Sequence, residues 1–351
     1  MVAPRALGAF LVHSLAREYS LHWLDFPLLK EQRLSHDVIC AQPHMSDHVT
    51  EILAPIGCQL RVVPLQTLSE DEFFREISTA AGVVAGGEYY TPNVFRAAQN
   101  LKIVARHGVG VDHVDLEAAA QHGVWVTNTP GATNGAVAEF TIGLILNLLR
   151  HIPNMASDMK KGVYASTGGE ELGRLTIGVI GAGGIGKEVI RLARGFGALA
   201  LAYDIHPNQG FADQMQVEYV SLDALLQQAD IVTIHCGLDE STQGLIGESQ
   251  LKLMKANAYL VNTGRPAIID KQALTACLES RAIAGAAIDV WDTAPCPADD
   301  PLLRLDNVLA TPWSAFNTAT AVQNMCRRAA EEIARVLQGQ QPLHAVNSPI
   351  F

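Results

Sequence analysis

The residues of this chain best placed to do chemistry are a cluster of glycines and a few charged side chains at fixed spacing. Gly181-Ala182-Gly183-Gly184-Ile185-Gly186 follows the apolar run 175–180 directly and opens an amphipathic stretch. Each glycine has its own mechanical reason. Gly181 permits a tight turn, Gly183 lets the backbone approach a pyrophosphate, and Gly186 lets helix and strand pack closely. The free amides at the start of the helix bind the anion. Asp204 closes the next apolar run eighteen residues past Gly186, where a carboxylate hydrogen-bonds the ribose 2′-hydroxyl of NAD and repels a 2′-phosphate. His206 leaves slight room for NADP, but no Arg follows it. A glycine turn without a ligand is the plainer alternative, and strand, helix and acid together argue against it.

Two series of elements must position these residues. From His36, short apolar runs alternate with amphipathic stretches, the rhythm of βα units feeding a parallel sheet. The first series holds runs 36–41, 59–63, 81–86, 102–106 and 124–128, with a capping box at Ser69 and Glu72. A long apolar helix is expected from about Asn134 to His151, ended by Pro153, as a connector between domains. The second series holds runs 175–180, 198–204, 230–235, 258–262, 284–290 and 307–310, followed by a helix over 318–338 and a polar tail. If the tail returns to the first sheet, the second sheet is an insertion. The expected architecture is α/β, with two parallel-sheet, Rossmann-like domains facing a cleft. Residues 36–139 and 318–351 would form a substrate domain, and residues 140–317 an inserted NAD-binding domain.

At 351 residues the length fits two domains with sizeable cores. Twenty-five Lys and Arg stand against 36 Asp and Glu, a net charge of −11 with no basic block, which argues against a nucleic-acid partner. Hydrophobic residues make up 48% and charged ones 17%, the composition of a well-buried globular protein. Six cysteines without CxxC or metal-like spacing fit a reducing cytoplasm and suggest no metal site. No run reaches the length of a membrane-spanning helix, so no membrane role is expected. Residues 1–16 have the outline of a signal peptide, with one Arg, a short apolar core and Ser-Leu-Ala. Because an α/β body follows, residues 1–35 are read instead as an arm packing on that body or on a second subunit.

With these residues in view, the chain resembles the NAD-dependent D-2-hydroxyacid dehydrogenase family, which includes phosphoglycerate dehydrogenase, glyoxylate reductase and formate dehydrogenase. The resemblance runs from about His36 to Asn347. It takes in Arg106-His107-Gly108-Val109-Gly110-Val111-Asp112, Thr129-Pro130-Gly131 and Val137-Ala138-Glu139 before the glycine turn. After it come His235, Leu253-Met254-Lys255, Asn262-Thr263-Gly264-Arg265, Ala287-Ile288-Asp289-Val290 and Thr311-Pro312. The resemblance implies a small carboxylate substrate in the cleft, bound by Arg265 and by the loop of Gly86, Gly87 and Tyr89. It also implies that Thr263, Asp289 and His235 line the cofactor, with His235 toward its nicotinamide side. A homodimer built on the cofactor domain, including helix 134–151, is a further expectation. Ala85 stands where phosphoglycerate-specific members carry an Arg that clamps phosphate, so phosphoglycerate is not supported, and formate is no better supported.

Two departures alter the expected mechanism. In this family a His supplies or accepts the proton as hydride moves, and a Glu holds that His. Hydride transfer to a ketone builds alkoxide charge that calls for both a cation and a proton. Here the position of the Glu is Ala294 and that of the His, after Thr311-Pro312, is Trp313. No His occurs between His235 and His344, so a shift of register cannot restore it. A Glu that orients an absent His has nothing left to do, and joint loss points to a changed mechanism.

Several residues could replace the pair, and each has a plainer reading. Asp292 could be brought to the cleft by a loop shift, or be a solvated loop carboxylate. Tyr89 or Tyr90 could donate a proton, or pack at a domain edge. His107 and His113 flank the glycine turn at 108–110 and could serve as donors, or be structural. Trp313 could wall the cleft by stacking or cation–π contact, with Trp291 or Tyr89, or simply fill the vacated place. The leading reading is an oxidoreductase moving hydride between NAD(H) and a small 2-hydroxy or 2-keto acid. The alternatives are an NAD-binding regulatory or scaffold homologue without turnover, and a non-standard reaction on tightly bound NAD.

Overall fold

The computed structural model describes residues 36–42 and 46–350. The expectations for residues 1–35, the arm and the signal-peptide outline, lie outside the described residues. Among the described residues, twelve strands form two sheets of entirely parallel pairs, a five-stranded and a seven-stranded one. The first contains β1 (His36–Cys40), β2 (Cys58–Val62), β3 (Gly82–Ala85), β4 (Ile103–Arg106) and β5 (Trp125–Thr127), in the order β2-β1-β3-β4-β5. The second contains β6 (Thr176–Ile180), β7 (Leu199–Tyr203), β8 (Val217–Tyr219), β9 (Ile231–Ile234), β10 (Tyr259–Asn262), β11 (Gly285–Ile288) and β12 (Val308–Ala310). Their order is β12-β11-β10-β9-β6-β7-β8. Strands β3, β9 and β11 are buried along their whole length. That is why they read as continuous apolar runs: helices cover both faces of a parallel sheet.

Both sheets reverse their winding once, the first between β1 and β3 and the second between β6 and β9. Ligands of open α/β sheets bind outside the carboxyl ends of the strands at such switch points. In the second sheet the glycine turn leaves β6, His235 leaves β9, Thr263 leaves β10, and Asp289 leaves β11. In the first, Gly86 leaves β3 and His107 leaves β4.

Two segments tie the sheets together. Helix Asn134–Arg150 buries Val137, Ala138, Ile142, Leu144, Ile145 and Leu149 and packs against helix Gly184–Gly195 and against β10 and β11. It runs unbroken across position 139/140. The expectation that Pro153 ends this helix is corrected: the break is at His151, whose φ of 51° is left-handed. A second helix, Ile152–Lys160, begins there with Pro153 in its first turn, where a missing N–H costs nothing. At the other crossing, Thr318 caps helix Ala319–Leu337 by accepting from Ala321 N at 3.1 Å. This helix returns to the first sheet, where Cys326, Ala329, Ala330 and Ile333 share one core cluster with Val38, Ile103 and Ala105.

The tail then joins β5. Ala345 bridges Thr127 in antiparallel sense. Asn347 accepts from Val126 N at 2.8 Å and donates to Val124 O at 2.9 Å. Buried Glu332 holds the reversal by accepting from Leu343 N at 2.8 Å and meeting His344 Nδ1 at 2.7 Å. The second sheet therefore lies between two visits of the chain to the first. All six cysteines are free thiols. Among the described residues no cluster of His, Cys, Asp or Glu could hold a metal ion, and no single helix is long and apolar enough to cross a membrane.

Candidate active site

The glycine turn has the shape its sequence requires. Gly181 sits at φ 88°, and a Cβ on it would lie 2.3 Å from Cys236 N, so both conformation and space demand glycine. A Cβ on Gly186 would lie 2.1 Å from Gly181 O, which fixes how closely the helix starts above the turn. Gly184 abuts the Asn134 side chain of the connecting helix. Gly183, the N-cap of helix Gly184–Gly195, is different: a Cβ there would meet nothing within 4 Å. The cradle is open at the face where a pyrophosphate must approach.

Asp204 stands at its edge. One carboxylate oxygen accepts from Ala182 N at 2.7 Å and the other from His206 N at 2.8 Å, so the acid is bound to the turn itself. Thr263 and Thr141 pair through their hydroxyls at 3.1 Å. Because Thr141 already donates to Val137 O, Thr263 is the donor. These residues fit a dinucleotide.

The structure gives two of the expected cofactor-lining residues, His235 and Asp289, these surroundings. His235 lies beside the glycine turn, since its carbonyl carbon is within 2.7 Å of where a Gly181 Cβ would stand. Its Nε2 meets Thr233 Oγ1 at 2.9 Å, and burial pushes its pKa down to about 3, so the ring is neutral. Asp289 is only 1% exposed and works as a brace under the loop after β12. It accepts from Thr311 Oγ1, Ser314 N and Ala315 N at 2.6–2.9 Å.

That braced loop carries Trp313 in a left-handed conformation at φ 52°, uncommon for any residue but glycine. Its ring lies 5.9 Å from Arg265 Cζ, a cation–π distance. Trp291 is not its partner, for it is buried and donates to Thr311 O at 2.9 Å.

Arg265 is presented by Asn262, which donates to Arg265 O and accepts from Gly264 N, both at 3.0 Å. The guanidinium reaches across to the loop after β4. Its Nε lies 3.2 Å from both oxygens of Asp112, and its Nη2 lies 3.1 Å from Oδ1. A Cβ on Gly110 would collide with that guanidinium, so a glycine there is what lets the arginine in. Burial disfavours the Asp112 charge, but the Arg265 hydrogen bonds outweigh it and hold the carboxyl below its ordinary pKa.

His113 adjoins this pair. Its Nδ1 is 3.5 Å from Asp112 Oδ2, and its ring meets Tyr89 edge-on at 4.7 Å between centroids. Burial lowers its pKa, against the opposing pull of Asp112. Backbone bonds lace the two loops together, Tyr90 N to His113 O at 2.8 Å and Asp115 N to Tyr90 O at 2.9 Å. Tyr89 is 65% exposed at the rim.

The other replacement candidates are engaged elsewhere. Asp292 ion-pairs with Lys271 at 2.9 Å, and Lys271 also holds buried Asp300. Tyr90 is fully buried and donates to Glu88 Oε1 at 3.0 Å. His107 is buried at 8% exposure. Gly86, in the loop expected to bind the substrate carboxylate, has its amide occupied: Gly86 N donates to Glu88 Oε1 at 2.8 Å. Gly87 abuts the Gln66 side chain. Sequence reasoning misses Glu88 and Asp112 in these roles. Asp112 closes the glycine motif at 106–112, but its partner is 153 positions away.

Residues 142–315 match the model of the D-isomer specific 2-hydroxyacid dehydrogenase NAD-binding domain. The D-3-phosphoglycerate dehydrogenase of Methanocaldococcus jannaschii is 39% identical over 286 residues, covering 80% of this chain and 54% of that protein. The chain thus spans about half the length of that relative. The glyoxylate reductase of Korarchaeum cryptofilum is 38% identical over 264 residues, covering 73% of this chain and 79% of that protein. Among solved structures, D-lactate dehydrogenase from Aquifex aeolicus complexed with NAD and lactic acid superposes with a TM-score of 0.80 at 25% identity. It covers 90% of this chain and all of that one.

Proposed function

Because the chain belongs to the D-2-hydroxyacid dehydrogenase family, we propose that it moves a hydride between NAD(H) and a small 2-hydroxy or 2-keto acid. NAD, the cofactor of its 142–315 domain, supplies or accepts the hydride when bound. The amides opening helix Gly184–Gly195 would hold its pyrophosphate, and Asp204 its ribose hydroxyls. In this reading residues 140–317 are the cofactor domain, and residues 36–139 with 318–351 the substrate domain. Gly87, Tyr89 and Trp313 border the substrate.

The observation that carries the reading is Arg265, set by Asn262 at the carboxyl end of β10 and brought to the loop of the other sheet. A guanidinium there binds a carboxylate with two parallel hydrogen bonds. An incoming substrate carboxylate would share the guanidinium with Asp112, using the N–H donors that Asp112 and Gly264 O leave free. Trp313 lies over the cation at 5.9 Å, and the family's acid and its Glu are replaced by Trp313 and Ala294, so the proton takes a route of its own.

NADH absorbance with a panel of 2-keto acids, run on the native protein and Arg265→Ala, tests this. The expected result is turnover that falls about 10²-fold or more in the variant, the loss typical of removing one charge-stabilising donor, with NADH binding kept. NADH binding without turnover of any acid would favour a binding homologue. The six free thiols support a reducing compartment such as the cytoplasm. The homodimer expected through helix 134–151 belongs to this reading as well.

A further inference from the structure

We propose that His113 carries the proton at this site, with Asp112 as its positioning residue. The inference rests on the hydride-transfer reading above. Asp112 takes Arg265 on Oδ1 at 3.1 Å and faces His113 Nδ1 with Oδ2 at 3.5 Å, so guanidinium, carboxylate and imidazole form one contiguous chain. Arg265 and His113 both border Asp112, so a substrate anchored on Arg265 would lie on the side of the site that holds this ring, whereas Asp292 is held by Lys271, Tyr90 is sealed under Glu88, and His235 lies beside the glycine turn.

The ring is held in place. Tyr89 packs on it edge-on, and the backbone bonds between the 86–90 and 107–115 loops fix its Cα. Its Nδ1 is closed off from solvent, so proton exchange runs through Nε2. In this structure Nδ1 makes no hydrogen bond and Asp112 faces it by charge alone; a carboxylate beside one imidazole nitrogen favours the protonated ring, which is what an acid at Nε2 requires.

In reduction the carbonyl carbon gains the hydride from NADH, which is left as NAD, and the π pair moves onto oxygen. An O–H bond forms there as the Nε2–H bond of His113 breaks, and the neutral ring regains its proton from water. Oxidation of the hydroxy acid reverses this, with His113 taking the hydroxyl proton.

The charged groups around the ring are Asp112 and Glu88, which favour its protonation, and Arg106 and Arg265, which oppose it together with burial. Reduction should therefore gain as pH falls below the ordinary histidine value of 6.5, and oxidation as pH rises.

The test is His113→Gln assayed with NADH and the keto-acid panel from about pH 5 to about pH 8, bracketing histidine titration. NADH affinity by fluorescence and a proton NMR titration of the ring accompany it. Expected are a fall in turnover of about 10²–10⁴-fold, loss of the acidic limb, and unchanged NADH affinity. The ring resonance absent from the variant should titrate below 6.5 in the native protein and lower still in Asp112→Asn, whose acidic limb moves with it. That second variant serves if His113→Gln fails to fold, and a limb unmoved in it sinks the assignment.

Turnover that needs Arg265 but keeps its rate and acidic limb without His113 overturns the inference and leaves the hydride-transfer reading standing. A limb lost in Tyr89→Phe instead gives the proton to Tyr89 and also overturns it. No native turnover on any keto acid removes both.

Discussion

At the scale of single residues, the glycine turn separates two jobs that sequence alone runs together. Gly181 and Gly186 are glycines because the protein itself leaves no room, whereas Gly183 faces open space. Its φ of −75° and ψ of −153° suit alanine. Gly183→Ala is therefore expected to unfold within about 0.5 kcal/mol of the native protein, yet to bind NADH at least ~10-fold more weakly, each 1.4 kcal/mol of lost contact being tenfold. Urea melts and NADH fluorescence titration check the two halves separately. The turn and Asp204 are legible in the sequence because each lies in a local pattern with a mechanical reason, whereas Arg265 is singled out only by the family resemblance. The occupation of Gly86 N by Glu88 and of Arg265 by Asp112 is not legible there, because both follow from side-chain reach in three dimensions.

At the scale of elements, eleven of the strands announce themselves as short, largely apolar runs, most plainly β3, β9 and β11, which are buried on both faces. The exception, β8, is three residues at the sheet edge with a glutamate in the middle, too short and too polar for periodicity to register. The bend at His151 escapes the sequence because a proline near a helix boundary has two meanings, and Pro153 marks the start of the second helix, not the end of the first. The closing tail depends on one side chain. Asn347 supplies both a donor and an acceptor to the backbone of the β5 segment. Asn347→Ala would leave those groups without protein partners and is expected to cost about 1–3 kcal/mol, read as a lower urea midpoint and faster proteolysis after residue 338.

For the whole molecule, Arg265 and Asp112 form the ion pair that joins the carboxyl ends of the two sheets, each side chain about one-fifth exposed. Asp112 is held below its ordinary pKa of 3.8. A carboxylate with a depressed folded-state pKa adds stability that is present above its unfolded value and lost as pH falls through the folded one. Asp112→Asn is expected to lower stability by about 1.5–3 kcal/mol at neutral pH, in the range of a hydrogen bond to a charged group. The gap to the native protein should close as pH falls below 3.8. Urea denaturation across pH measures it, and a gap that stays constant into acid would mean that the pair contributes nothing to holding the molecule together.

The insertion of one sheet within the other also sets an order of events at the ribosome. The face formed by Val38, Ile103 and Ala105 is covered by helix Ala319–Leu337, which is synthesised only after the entire seven-stranded sheet. At ~5–20 residues per second, that face waits roughly 10–40 seconds for its cover, while the later-made sheet already has everything it needs to fold. The half of the protein that emerges first is finished last, and during that interval its bare apolar face is where chaperones would bind and where aggregation would begin.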